Sequence, residues 1–141
     1  MDPSTLKESI EVAAGLVFRN GKLLISQRKE DTHLGGLWEF PGGKRELNET
    51  FEQCLIRELR EELGIEVTVG ELLESSTHVY PEKTVHLKFF RCNWLRVEPQ
   101  ALSCSAFRWV TYGELPNYSF PEADTCLLKK LSVESKLWHA E

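Results

Sequence analysis

The chain has 141 residues, enough for one domain with a hydrophobic core, and 41% of them are hydrophobic while 28% are charged. No apolar run approaches the length of a membrane span, and there are no repeats or low-complexity tracts, so a membrane-embedded or repetitive protein is excluded. The formal net charge of −5 argues against nonspecific nucleic-acid binding. It would also repel a polyphosphate, so local cations or metal ions would have to bind one.

We expect one domain over residues 1–141, in a cytoplasmic protein that is a monomer or a homodimer. The polar N-terminal residues do not resemble a secretory signal. The four cysteines have no CxxC spacing, which indicates reduced thiols and no zinc site or disulfide framework. No membrane or nucleic-acid partner is expected.

The first third of the chain is predicted to form short strands around a tight turn. Residues 11–18 and 23–27 favour two strands, and Asn20-Gly21 between them is a strong hairpin signal. Residues 29–36 form a polar loop. Residues 37–40 form a short strand that enters a glycine turn at Gly42-Gly43.

The clearest element is a helix over residues 51–63. Thr50 is a good N-cap, Gln53 completes a capping box, and Gly64 suits the left-handed position that ends a helix. Every fourth residue from the first to the last is apolar, which predicts a buried stripe consisting of Phe51, Leu55, Leu59 and Leu63.

The remaining segments favour strands and one more helix. Strands are predicted over residues 65–69, 72–79, 84–95 and 107–110, with a turn at 81–83 and loops at 97–105 and 118–121. A helix is predicted over residues 122–135, with Leu127, Leu128 and Leu131 facing inward. Strands with two helices indicate an α/β fold with a mixed sheet between helices.

The first helix carries Glu58, Glu61 and Glu62, whose i, i+3 and i+4 spacing puts three carboxylates on one face. Like charges at this spacing cost about 0.2–0.5 kcal/mol each, and the last turns of a helix favour cations. A solvated acidic face neutralised by Arg57 and Arg60 is one explanation. A bound divalent cation is the other, because carboxylate oxygens are ligands that Mg²⁺ and Mn²⁺ prefer.

The residues around the helix match a known signature. Gly43 is followed after five residues by Glu49, and after seven more by residues 57–65, RELREELGI. This pattern resembles, at every fixed position, the Nudix box of hydrolases that cleave a nucleoside diphosphate linked to another moiety. Residues 38–44, WEFPGGK, resemble the MutT-type branch. The resemblance covers about residues 12–131 and implies the Nudix α/β/α sandwich.

The resemblance also implies roles for the helix and its glycine turn. The three glutamates hold the catalytic Mg²⁺, or Mn²⁺, with Glu62 as the surest ligand, and Glu58 orients or deprotonates water. Which glutamate is the base stays open. The backbone carbonyl of Gly43 adds a ligand, which explains a glycine close to the helix. Glu49 and Arg57 brace the loop and helix through an ion pair.

Five residues are candidate contacts to the nucleotide substrate: Arg28, His33, Phe40, Lys44 and Asp124. Arg28 occupies the position of a nucleotide-contacting arginine in MutT-type enzymes, and the histidine matches one in the equivalent loop. Lys44 directly follows the glycine turn. Either Trp38 or Phe40 is a candidate for stacking on the base, with ordinary packing as the alternative.

Residues 120–124, FPEAD, resemble the MutT-type segment that opens the last helix and delivers an Asn or Asp to the base. The alternative is an ordinary helix N-terminus, where acidic residues interact favourably with the positive end of the helix dipole. An ionised Asp124 only accepts hydrogen bonds, so it would favour guanine, cytosine or an N7-protonated oxopurine.

One loop departs from the MutT pattern. Where these enzymes often carry an extra glutamate before a strand resembling residues 107–110, this chain has Ser103 or Cys104. Neither replaces a carboxylate as a base or a strong Mg²⁺ ligand, so we expect a slower catalyst unless Glu82 or Glu98 fills the role.

The function implied is Mg²⁺-dependent hydrolysis of a nucleoside triphosphate to the monophosphate and pyrophosphate. Candidate substrates are an oxidised purine such as 8-oxo-dGTP, or a cytidine triphosphate. Two alternatives stay open at this point. One is hydrolysis of ADP-ribose or another nucleotide conjugate, which Pro81 weakly favours. The other is a noncatalytic nucleotide-sensing or lesion-recognition module.

Overall fold

The computed structural model describes residues 8–139. Within them, seven strands belong to one sheet. The strands are β1 (Glu8–Arg19), β2 (Lys22–Gln27), β3 (Trp38–Glu39), β4 (Gly42–Lys44), β5 (Glu66–Val79), β6 (Lys83–Arg96) and β7 (Ala106–Val110).

The sheet is mixed, as the sequence predicted. Its main order is β3-β2-β1-β6-β5, while β4 pairs with β1 and β7 pairs with β2. The β1–β6 pair is parallel and the other pairs are antiparallel. The turn between β1 and β2 has positive φ at Asn20 (51°) and Gly21 (77°), which confirms the predicted hairpin.

Helix α1 (Phe51–Leu63) has the bounds and both caps that the sequence predicted. Thr50 Oγ1 accepts the Gln53 N–H at 3.0 Å, and Gln53 Oε1 accepts the Thr50 N–H at 2.9 Å. Gly64 ends the helix in the left-handed region with φ of 72°. One detail of the stripe was wrong: Phe51 is only half-buried, and Cys54 is buried one turn further along.

Two predicted elements have different boundaries in the structure. The two strands predicted over residues 65–69 and 72–79 are a single strand, β5 (Glu66–Val79), whose pairing with β6 has three register shifts, one of them across Gly70 between Val69 and Leu72. The predicted helix over residues 122–135 divides into a 3₁₀ turn (Glu122–Asp124), helix α2 (Thr125–Val133) and a second 3₁₀ turn (Ser135–Trp138). Asp124 therefore precedes α2 directly.

The sheet lies between the two helices and buries a core on each face. The α1 face holds Leu55, Leu59 and Leu63 against Val17 and Leu24. The opposite face contains a second core, formed by side chains from the sheet, α2 and the C-terminal 3₁₀ turn: Leu16, Ile25, Phe89, Leu127, Leu131 and Trp138. In the described part of the chain, no helix is long and apolar enough to cross a membrane.

Candidate active site

The loop before α1 is fastened to the helix by Arg57. Its guanidinium donates to both carboxylate oxygens of Glu49, at 3.1 Å from Nε and 2.7 Å from Nη2. Nη2 also donates to the Lys44 carbonyl at 3.0 Å. These bonds lower the pKa of Glu49 to about 2, mainly through the hydrogen bonds from Arg57. The ion pair predicted from the sequence is present, and it joins the glycine turn, the loop and the helix.

Gly43 lies against the carboxylate of Glu58. A Cβ atom at Gly43 would be 2.3 Å from Glu58 Cδ, so only glycine allows this approach. Burial raises the pKa of Glu58, an effect that the hydrogen bond from Arg57 partly offsets. The Gly43 carbonyl accepts a weak hydrogen bond from the Cys54 thiol at 3.4 Å.

Glu62 is the most unusual charge in the site. Its side chain is half-buried, and its buried Oε1 has no hydrogen-bond partner among residues 8–139. Burial above all, then repulsion from Glu39 and Glu58, raises its pKa to about 8, although the Gly42 N–H donates to the carboxylate. An unpartnered buried carboxylate oxygen is costly, so the fold alone gives no reason to keep a glutamate here.

Glu61 is more exposed than Glu58. Its side chain is 57% exposed, against 17% for Glu58, and accepts hydrogen bonds from Arg57 Nη1, both at 3.3 Å. Within residues 8–139, no group of three or more His, Cys, Asp or Glu side chains converges as a metal site. Glu58 and Glu62 line one cavity together with Gly43, and the role of Glu61 as a metal ligand stays a prediction.

A cavity of about 470 Å³ opens beside these two carboxylates. All five candidate nucleotide contacts line it: Arg28, His33, Phe40, Lys44 and Asp124. Glu58, Glu62 and Gly43 line it as well. The lining also contains an apolar strip of two strand pairs from β1 and β6, Ile10 with Val85 and Val12 with Leu87.

Glu39 also lines this cavity, and sequence reasoning did not select it. Its Oε1 accepts a hydrogen bond from Arg28 Nη1 at 3.0 Å, while Arg28 Nε donates to the His33 carbonyl at 2.7 Å. Burial raises the pKa of Glu39, with Arg28 acting in the opposite direction. The signal available in the sequence was its position beside the glycine turn, but nothing there revealed the pairing with Arg28.

Asp124, the residue directly before α2, lines the cavity. It is buried, and burial together with repulsion from Glu39 raises its pKa to about 7. Near neutral pH the ionised form of Asp124 accepts hydrogen bonds, and the protonated form also donates one. Phe40 is buried and stacks on Phe120 with ring centroids 4.9 Å apart.

Trp38 packs in the core rather than lining the cavity. Its ring meets Tyr118 edge-on at 5.0 Å and belongs to the cluster on the α2 face. Ordinary packing, the alternative considered for this residue, therefore describes it.

The loop over residues 97–105 is fixed to the end of α1. The Ser103 and Leu102 N–H groups donate to the Glu62 carbonyl at 3.2 and 3.0 Å. Ser103 itself is exposed, whereas Cys104 is buried. Burial raises the pKa of the Cys104 thiol, and the nearby carboxylate of Glu62 raises it further. Of the two candidate replacements for the missing glutamate, Cys104 packs in the core on the α1 face, and neither residue lines the cavity.

The two other acids considered for that role lie outside the cavity lining. Glu98 pairs with Arg19 at 2.9 Å, and Glu82 is exposed in the turn between β5 and β6.

The donor set suits a hard divalent cation. Glu62 Oε1 is buried without a partner among the described residues, Glu58 repels it, and the missing side chain of Gly43 leaves room beside the Glu58 carboxylate. A cation bound by oxygen ligands would satisfy the orphaned atom and remove the repulsion. The residues present therefore fit Mg²⁺ or Mn²⁺.

Comparison with known proteins agrees with this geometry. The sequence model described as the NUDIX domain matches residues 13–130. A CTP pyrophosphohydrolase of Escherichia coli is 41% identical over 120 residues, covering 85% of this chain and 89% of that protein. An 8-oxo-dGTP diphosphatase of Haemophilus influenzae is 37% identical over 131 residues, covering 92% and 96%. The solution structure of the E. coli ORF135 protein superposes with a TM-score of 0.77 at 37% identity, covering 91% of each chain.

Proposed function

Because the chain belongs to the NUDIX domain family and is a Nudix hydrolase, we propose that it hydrolyses a nucleoside triphosphate to the monophosphate and pyrophosphate. Relatives named for CTP and for 8-oxo-dGTP support this substrate class. The observation that carries the proposal is the buried, unpartnered Glu62 Oε1 at the wall of a cavity that also presents Arg28 and Lys44. Such a site pairs an anionic metal-binding end with cations for phosphate.

The reaction requires water to attack phosphorus and the phosphoanhydride bond to break. The water gives its proton to a base, and the oxygen that bridges the α- and β-phosphorus atoms leaves with the phosphorus that is not attacked. Glu58, Glu62 and the Gly43 carbonyl would hold a divalent cation, with Glu61 as a further candidate ligand, and the cation would neutralise charge on the phosphate oxygens and lower the pKa of water. Glu58 would orient the water or accept its proton, and the choice of base among the glutamates stays part of the proposal.

Cationic side chains of the protein hold the phosphates in line with the carboxylates. Arg28 is fixed by Glu39 and the His33 carbonyl through Nη1 and Nε, which leaves Nη2 for a phosphate oxygen. Lys44 lines the same cavity. Arg57 keeps the glycine turn against α1, and so maintains the distance between the cationic side chains that bind phosphate and the carboxylates.

The nucleobase is proposed to reach Asp124. A carboxyl with a pKa of about 7 accepts hydrogen bonds when ionised and donates one when protonated. An oxidised purine with an N7–H, guanine, or the amino group of cytosine provides donors for the ionised form. The surface available for the face of the base is the apolar strip from β1 and β6.

The test is a panel of nucleotides assayed with Mg²⁺ in ¹⁸O-labelled water. The panel contains 8-oxo-dGTP, dGTP, CTP, dCTP, ATP and UTP, with ADP-ribose and nucleotide sugars as competitors. We expect pyrophosphate from a triphosphate and one labelled oxygen in either the monophosphate or the pyrophosphate, which identifies the attacked phosphorus. Faster cleavage of a nucleotide conjugate, or nucleotide binding without turnover, would contradict the proposal.

A further inference from the structure

Two segments that are distant in sequence meet at the wall of the cavity. Tyr80 comes from the turn between β5 and β6, and His33 comes from the loop over residues 29–36. Their rings are edge-on with centroids 6.1 Å apart, and both residues line the cavity. This distance and the interplanar angle of 84° are typical of an attractive aromatic pair.

Tyr80 is held in this position by its own hairpin. The Tyr80 N–H donates to the Lys83 carbonyl at 2.8 Å and closes the turn. The ring of His78 packs on the Tyr80 ring at 4.7 Å, and Lys83 Nζ lies 5.6 Å from its centroid. The Tyr80 ring is thus supported by contacts within the hairpin and directed towards the opposite loop.

The loop on the other side is fixed by Arg28. Its Nε donates to the His33 carbonyl, and its own carbonyl accepts the Gly36 N–H at 3.0 Å. Gln27 Nε2 donates to the Gly36 carbonyl at 3.0 Å. Arg28, which is proposed to bind phosphate, therefore also fixes the position of His33. Phosphate binding by Arg28 and the contact between the His33 and Tyr80 rings thus stabilise the same conformation of the loop.

We propose that Tyr80 and His33 form a bridge over the nucleoside end of the cavity, and that Tyr80 is a positioning residue which keeps the loop over residues 29–36 closed on the bound nucleotide. The inference rests on the proposed function for the identity of the ligand. The same cavity is lined by the apolar strip of Ile10, Val12, Val85 and Leu87, which suits the face of a base. Loss of the bridge lets the loop open, and only the closed fraction of molecules binds.

The test uses Tyr80→Ala, Tyr80→Phe, His33→Ala and the Tyr80→Ala/His33→Ala double variant. Calorimetric titration with CMP and 8-oxo-dGMP gives Kd, and pyrophosphate release gives kcat and KM. We expect each alanine variant to raise KM and Kd about 2- to 12-fold, the factor that corresponds to ~0.5–1.5 kcal/mol for an aromatic pair, with kcat changed less than about 2-fold.

The conservative variant and the double variant decide whether the ring contact is responsible. Tyr80→Phe keeps the ring and is expected to retain the affinity of the wild type. The double variant is expected to bind no more weakly than the weaker single variant, because each substitution breaks the same contact. Fully additive losses, or a fall in kcat at unchanged KM, would overturn the bridge.

Tyr112→Ala is the matched control. Tyr112 also makes an edge-on contact, with Trp138 at 5.8 Å, but it does not line this cavity. Its substitution is expected to leave Kd and KM unchanged, and a loss equal to that of Tyr80→Ala would mean that general destabilisation explains both. Absence of hydrolysis by a wild type that still binds monophosphates contradicts the proposed function alone, whereas absence of nucleotide binding overturns both.

Discussion

Replacing Glu62 by Gln should stabilise the cation-free protein while abolishing most of its activity. In the folded protein the pKa of Glu62 is raised to about 8 from the ordinary 4.5, chiefly by burial. Because the unfolded chain releases this proton at lower pH, stability falls as pH rises from 4.5 to about 8. At 1.36 kcal/mol per pH unit the penalty reaches at most ~5 kcal/mol above pH 8. Glutamine keeps the size and removes the charge.

Urea unfolding at several pH values, with EDTA and then with Mg²⁺, measures both effects. With EDTA, the free energy of unfolding of Glu62→Gln should match the wild type at pH 4.5 and exceed it increasingly up to pH 8. Mg²⁺ should stabilise the wild type by about 1.4 kcal/mol for each tenfold excess over Kd and leave the variant almost unchanged. Equal pH profiles, or near-wild-type hydrolysis by the variant, would refute the reasoning.

Three further substitutions test other parts of the site. Gly43→Ala introduces a Cβ 2.3 Å from Glu58 Cδ, so turnover should fall strongly while circular dichroism still shows a folded protein. Asp124→Ala removes the base contact, and it should reduce discrimination between bases by ~1–3 kcal/mol in kcat/KM, more than it slows the best substrate. An unchanged substrate ranking would mean that Asp124 is only a charge at a helix start. Thr50→Ala should lower the free energy of unfolding by about 1 kcal/mol with little effect on activity, because it removes the N-cap.

The elements with local signals were predictable from the sequence. Helix α1 has the expected bounds because its capping box and its terminal glycine act within a few residues of the chain. The prediction of two strands separated at Gly70 was wrong, because the structure has the single strand β5. Bulges in its pairing with β6 accommodate the residues around Gly70, and this pairing depends on a strand that is distant in sequence. The predicted start of α2 was also wrong. A 3₁₀ turn follows Pro121, and the apolar pattern does not distinguish such a turn from the first turn of an α-helix.

In the site, residue types were predictable but their environments were not. The sequence indicated that Asp124 faces a ligand, and the cavity lining agrees. Its raised pKa depends on burial and on the charge of Glu39, and that proximity exists only after β3 pairs with β2. Tyr80 and His33 likewise become neighbours only when the hairpin reaches the opposite loop. Contacts of this kind have no short-range signal in the chain.

The distribution of charge on α1 explains why Glu62 is the carboxylate that needs a cation. The sequence predicted repulsion shared among three glutamates, with Arg57 as a neutralising partner. In the structure Arg57 donates to Glu58 at 3.0 Å and also to Glu61, so these two have a cation of their own. Glu62 has no ion pair within residues 8–139, and it retains an orphaned oxygen. The unfavourable energy of the acidic face is therefore concentrated at the one carboxylate that is buried beside the Gly43 turn, where a bound divalent cation would relieve it most.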